Sequence, residues 1–157
     1  HSHPIKSISE FDQAIAAGVE MFVVDNPAEV EKLTRYTDKR LKILIRYRVH
    51  LNTQAVVNLQ YKFGCTTDEV LPLAKKIAQT GHDVYGLCFH IGSQCIYTEN
   101  YVTAIEAASR LIRQLADNNI SVRLLDIGGG FPIEYVEPVP HIAEFAQPVA
   151  GDGLGDC

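Results

Sequence analysis

At 157 residues the chain suits one domain, on the usual range of about 100–200 residues each. Its 46% hydrophobic and 21% charged residues supply both a core and a solvated surface. The formal net charge of −5 comes without any Lys/Arg block, which argues against nucleic acid or an anionic membrane as partner, and no apolar run approaches the ~18 residues of a membrane span.

The chain opens on His1-Ser2-His3 without a methionine, as a processed or excised piece would, and has no signal-peptide pattern. Residues 7–18 read as a helix: Ser7 with Glu10 fits a capping box, Gly18 is a natural stop, and Ile8, Phe11 and Ile15 recur at helical spacing. The short apolar run 21–24 reads as a strand. Asp25 or Asn26 caps the next helix, Pro27 suits its first turn, and the helix runs to about Tyr36. Its Val30 and Leu33 face inward, and Glu29, Glu31, Lys32 and Arg35 face solvent. Leu41 to Val49 is the second strand, and residues 50–64 form a long irregular connection of the kind that is often functional. Thr66 with Glu69 suggests another capping box for a helix reaching Thr80. Pro72 argues for a start nearer Leu71, because proline removes a backbone donor. Val84 to Ile91 is the third strand. Thr98 caps a helix over 99–117, with Val102, Ile105, Ile112 and Leu115 on one stripe, and Asn118-Asn119 ends it. From about residue 133 the pattern is irregular, broken by Pro138, Pro140 and Pro148, with one possible helical turn between Ile142 and Ala146.

Residues 122–132 carry the strongest local signal. The run Val122 to Ile127 reads as a buried parallel strand and stops at Gly128-Gly129-Gly130. Three glycines permit a sharp turn and a close backbone approach, and successive N–H groups in such a turn can cradle a phosphate. The alternative is a tight turn that binds nothing. Helices and strands alternate throughout, which means a parallel α/β sheet. A closed (β/α)8 barrel needs about 200–250 residues, so the choice is a small open doubly wound domain or about half of a barrel.

In either architecture a ligand sits at the C-terminal ends of the strands. Arg46, the segment His90-Ile-Gly-Ser93 and the glycines 128–130 all fall there. Arg46 is either a structural salt-bridge partner or a ligand contact. His90 is either a hydrogen-bonded core residue or a flat ring available to an aromatic cofactor. Cys65, Cys88, Cys95 and Cys157 form no C-x-x-C pair and show no zinc spacing, so free thiols in a reducing cytoplasm are expected.

Phe-His-Ile-Gly-Ser-Gln-Cys (89–95) followed by Leu-Leu-Asp-Ile-Gly-Gly-Gly-Phe-Pro (124–132) resembles the pyridoxal-phosphate barrel of fold type III decarboxylases. Ornithine, lysine/ornithine and diaminopimelate decarboxylases belong there, with alanine racemase more distant. Pro4-Ile-Lys6, Val24-Asp25-Asn26, Leu44-Ile45-Arg46 and Lys62-Phe63-Gly64 extend the likeness over nearly the whole chain. The resemblance implies a single partial (β/α)8 barrel domain with pyridoxal 5'-phosphate as cofactor. His90 would stack on its ring, Ser93, Gly128, Gly129 and Gly130 would hold its phosphate, and Arg46 would sit near it. It further implies decarboxylation of ornithine or lysine toward polyamines by a cytoplasmic homodimer. None of Lys6, Lys32, Lys39, Lys42, Lys62, Lys75 or Lys76 matches the family's cofactor-bearing lysine, which is expected upstream of His1. The chain then reads as an internal piece that is inactive by itself. Two other readings remain: a non-catalytic phosphate-binding or regulatory relative, and an S-adenosylmethionine-dependent methyltransferase suggested by Leu-Asp-Ile-Gly-Gly-Gly.

Overall fold

The computed structural model describes residues 1–49, 62–134, 139 and 141–143. Helices and strands alternate as α1 (Ile8–Ala16), β1 (Met21–Val24), α2 (Pro27–Leu33), β2 (Lys42–Arg46), α3 (Thr67–Gln79), β3 (Asp83–Cys88), α4 (Thr98–Ala116) and β4 (Leu124–Asp126). All neighbouring strands pair in parallel, in the order β1-β2-β3-β4. The order never reverses. A doubly wound sheet reverses at its switch point, so this sheet is a strip of barrel wall.

The two faces of the strip differ. Phe22, Val24, Ile43, Ile45 and Leu87 pack with the inward stripes of the helices in the main core. Val23, Leu44 and Cys88 form a small cluster of their own with Met21, Tyr85 and Leu124. Strand alternation separates the two sets, the first facing the helices and the second the barrel interior.

The capping box of α1 is complete. Ser7 Oγ accepts from the Glu10 amide at 3.2 Å, and Glu10 accepts from the Ser7 amide at 2.7 Å. At α3, Glu69 accepts from the amide and the hydroxyl of Thr66 at 2.7 and 2.8 Å. That start precedes Pro72, so the expectation of a later start near Leu71 is corrected. Pro72 sits inside α3 on its exposed side, where water can serve the carbonyl left without a donor. Asn26 is the cap of α2, accepting from the Glu29 amide at 3.0 Å. That helix ends at Leu33 and tightens into a 3-10 turn, Thr34–Tyr36. Tyr97 takes the cap position of α4 without a side-chain bond, and Thr98 is already helical. Its buried stripe is Tyr101, Ala104, Ile105, Ala108, Leu111 and Leu115. Val102 and Ile112 are only half-buried.

Glu29 departs most from expectation. It is 2% exposed, not a surface charge. Its carboxylate accepts from the Lys6 amide at 3.3 Å, lies 3.6 Å from Lys6 Nζ and pairs with Lys32. Lys6 Nζ also donates to the carbonyls of His3, Pro4 and Val23. Helical spacing could not show this, because the partner lies on a segment 23 residues away.

The strands β2 and β3 are shorter than read, and β4 differs in kind. It has three residues, two half-buried and one exposed, because β3 alone pairs with it among the described residues. Residues 50–61, the Pro138, Pro140 and Pro148 breaks and Cys157 lie outside the described residues, as does all of the 142–146 turn but its first two positions, which are helical.

Candidate functional site

Parallel strands deliver their following loops to one rim. The register sets Arg46 beside Cys88 and Cys88 beside Asp126, so these three share the last layer of the interior face. The loop after β3 and the glycine turn after β4 meet directly above it. Phe89 N–H donates to Asp126 O at 3.1 Å, and Cys95 N–H donates to Gly130 O at 2.9 Å. The two motifs, which begin at Phe89 and Leu124 in the sequence, are therefore one structure.

The His90 ring lies beside the glycines. A methyl group at Gly129 would sit 3.6 Å from its Nε2, and one at Gly130 3.6 Å from its Cε1. Gly92 N–H donates to His90 Nδ1 at 3.0 Å, which makes Nδ1 an acceptor and leaves the proton of the neutral ring on Nε2. Burial is the main cause that lowers the His90 pKa, the nearby Arg46 charge adds to it, and Asp126 opposes. Arg46 packs its guanidinium on the Phe63 ring at 5.3 Å and makes no ion pair among the described residues. The salt-bridge alternative for Arg46 finds no support there. Burial pushes the Cys88 thiol up to about 12, so it is an inert, protonated wall of the layer.

The glycines divide into two kinds. Gly128 N–H donates to Asp126 Oδ1 at 2.8 Å. The amides of Gly129 and Gly130 donate to no described residue, and Ser93 beside them is exposed. The Gly129 carbonyl accepts from Tyr101 Oη at 3.1 Å. In a trans peptide C=O and N–H point opposite ways, so this bond turns the Gly130 N–H away from α4. Two amides, one of them directed, with a hydroxyl and a neutral ring in one place, suit a phosphate attached to a flat aromatic ring.

Three residues of this arrangement escaped the sequence reading. Asp126 had a signal, an Asp two residues before a glycine, which is the pattern of an Asx turn. Tyr101 had a weaker one, a buried aromatic whose hydroxyl needs a partner. Gln94 had none. Its amide makes a reciprocal pair with the backbone of Ile133, 39 residues away, at 2.8 and 2.9 Å.

Residues 1–151 match the family described as the pyridoxal binding domain of pyridoxal-dependent decarboxylases. The chain belongs to this family. Its relatives in that family include a lysine/ornithine decarboxylase of Selenomonas ruminantium, 34% identical over 133 residues, which are 85% of this chain and 33% of the relative. The lysine/ornithine decarboxylase of Vibrio vulnificus, solved with putrescine, superposes with a TM-score of 0.84 at 33% identity, over 95% of this chain and 38% of that one. The arginine decarboxylase of Paramecium bursaria Chlorella virus gives a TM-score of 0.86 at 26% identity, over 99% and 42%. The chain thus spans about a third of the length of the curated relatives it matches. Membership sets aside the methyltransferase reading of the glycine turn.

Proposed function

We propose that this chain is the cofactor-holding barrel segment of a pyridoxal-phosphate-dependent decarboxylase acting on ornithine or lysine, with carbon dioxide and a diamine as products. The observation that carries the proposal is the junction of the His90–Cys95 loop with the glycine turn, held by the bond from Cys95 N–H to Gly130 O. The Gly129 and Gly130 amides and the Ser93 hydroxyl hold the phosphate, since donors to a dianion make short, charge-assisted bonds. His90 would stack on the ring face. Its lowered pKa keeps the imidazole uncharged there. Arg46 supplies positive charge at the same rim, and Gly128 contributes by letting the two loops touch. Pyridoxal phosphate, when bound, supplies a conjugated ring that accepts the electron pair left as the carboxylate departs. The same reading makes the complete protein a cytoplasmic homodimer, and the free, buried Cys65, Cys88 and Cys95 fit a reducing compartment.

The test joins this chain to the remaining length its relatives have. That protein, given pyridoxal phosphate, is expected to release carbon dioxide and the diamine from L-ornithine or L-lysine. No release from either amino acid would overturn the substrate class. The 157-residue chain alone is expected to bind the cofactor without turnover, because none of its lysines matches the one that carries the cofactor in the family. Amine production by the chain alone would refute that assignment.

A further inference from the structure

We infer that Gln94 is a positioning residue for the phosphate end of the site, acting as a side-chain clamp that holds the glycine turn in register with the loop bearing His90 and Ser93. The inference rests on the site reading above and adds a residue to it.

The clamp is built from both ends of one amide. Gln94 Nε2 donates to Ile133 O at 2.8 Å, and Gln94 Oε1 accepts from Ile133 N–H at 2.9 Å. A side chain that satisfies the donor and the acceptor of one residue imitates a strand partner. One residue on, Cys95 N–H donates to Gly130 O at 2.9 Å. The two attachments flank Phe131-Pro132, so the exit of the glycine turn is fastened on both sides.

The backbone of Gln94 shows that the fastening is demanding. Its φ is +54°, a left-handed conformation that residues with side chains rarely adopt. A glycine would take that turn without strain. Strain at a residue whose side chain makes two directed bonds calls for a role that glycine cannot fill. Cys95 N–H fixes the peptide after Gly130 through Gly130 O, Tyr101 fixes the one before it through Gly129 O, and the Gln94 bonds hold the exit of the turn at Ile133. With both peptide planes set, the Gly130 amide keeps one direction, and Ser93, next to Gln94 in the chain, is held with it. Phe131 stacks on Tyr101 at 4.8 Å, but Ile133 is 55% exposed, so at that residue the hold comes from the Gln94 bonds.

The test uses Gln94→Gly in the 157-residue chain. It removes the clamp and relieves the left-handed strain, so the variant folds. Dissociation constants for pyridoxal 5'-phosphate and for pyridoxal, which lacks the phosphate, are measured side by side at pH 7.5. Inorganic phosphate is titrated while the Gly129 and Gly130 amide signals are followed by NMR. The expected result is about a tenfold weaker binding of pyridoxal phosphate with pyridoxal unchanged, the size of one net hydrogen bond. The two amide signals are expected to respond less to phosphate than in the parent chain. Equal loss for both ligands would mean general damage and overturn the clamp, as would an unchanged ratio. If the parent chain itself prefers neither ligand and its glycine amides ignore phosphate, the site reading falls, and the clamp with it.

Discussion

A methyl group at Gly130 would sit 1.8 Å from the Gly92 carbonyl oxygen, and one at Gly128 2.1 Å from that of Phe89. Both glycines also have positive φ, +99° and +69°. Neither obstacle can move cheaply, because each is backbone. Gly130→Ala and Gly128→Ala are therefore expected to lose about 2–4 kcal/mol in denaturant unfolding, the sum of left-handed strain and overpacking. Gly129→Ala has ordinary φ and a nearest neighbour at 3.6 Å, so it is expected to stay within about 1 kcal/mol of the parent. Equal losses at all three would contradict the close approach of the two loops. His90 supplies the second residue-level prediction. Its folded pKa is below the ordinary 6.5, so the neutral ring's contribution to stability is complete above about 6.5 and is lost as pH falls through the lowered value. NMR titration of the His90 ring is expected to show an Nε2-protonated neutral tautomer at pH 7 and a midpoint under 6.5. A midpoint above that would mean the ring is not shielded by its surroundings and Arg46.

Among the elements, α2 shows what a local pattern leaves out. Glu29 lies in the first turn of α2, where a carboxylate also favours the helix dipole, and nothing nearby marks it as buried. It serves as the anchor for the segment that precedes α1. Burial is the largest cause that lowers the Lys6 pKa, and Glu29, with a smaller part from Asp25, opposes it. Removing that carboxylate leaves a buried cation without its counter-charge. Glu29→Ala is expected to cost about 3 kcal/mol in chemical denaturation, against a far smaller loss for Glu31→Ala on the exposed side. Similar small effects for both would mean that Lys6 is sustained by its three carbonyl partners alone. The start of α1, by contrast, was legible. Ser7 with Glu10 fixed it to the residue, because a cap is a contact within four residues, and Thr66 with Glu69 marked the start of α3 that Pro72 led the reading to place near Leu71. Pro72 misled only because a proline on a solvent face loses one bond that water replaces.

At the scale of the molecule no further strand closes either side of the sheet among the described residues. The outer edge of β1 is met by His1, which donates to Met21 O at 2.7 Å and accepts from Val23 N–H at 3.1 Å, and by Lys6, whose Nζ donates to Val23 O at 2.6 Å. Beyond β4 no described strand follows. Unpaired parallel edges template further strands, so the chain is expected to associate in solution at micromolar concentrations. A monodisperse monomer by light scattering across that range would count against it. The alternation of helix and strand, the two capping boxes and the two glycine-bearing motifs were all determined by the sequence, since each depends on residues close together in the chain. Only the tertiary structure decided that the strands run in unbroken order as barrel wall, that Glu29 is buried, and that Asp126 claims the Gly128 amide while Gln94 grips Ile133. Apart from the Asp126 turn, these depend on partners brought together across many residues, and a hydrogen bond to a distant backbone group leaves no periodicity in the sequence.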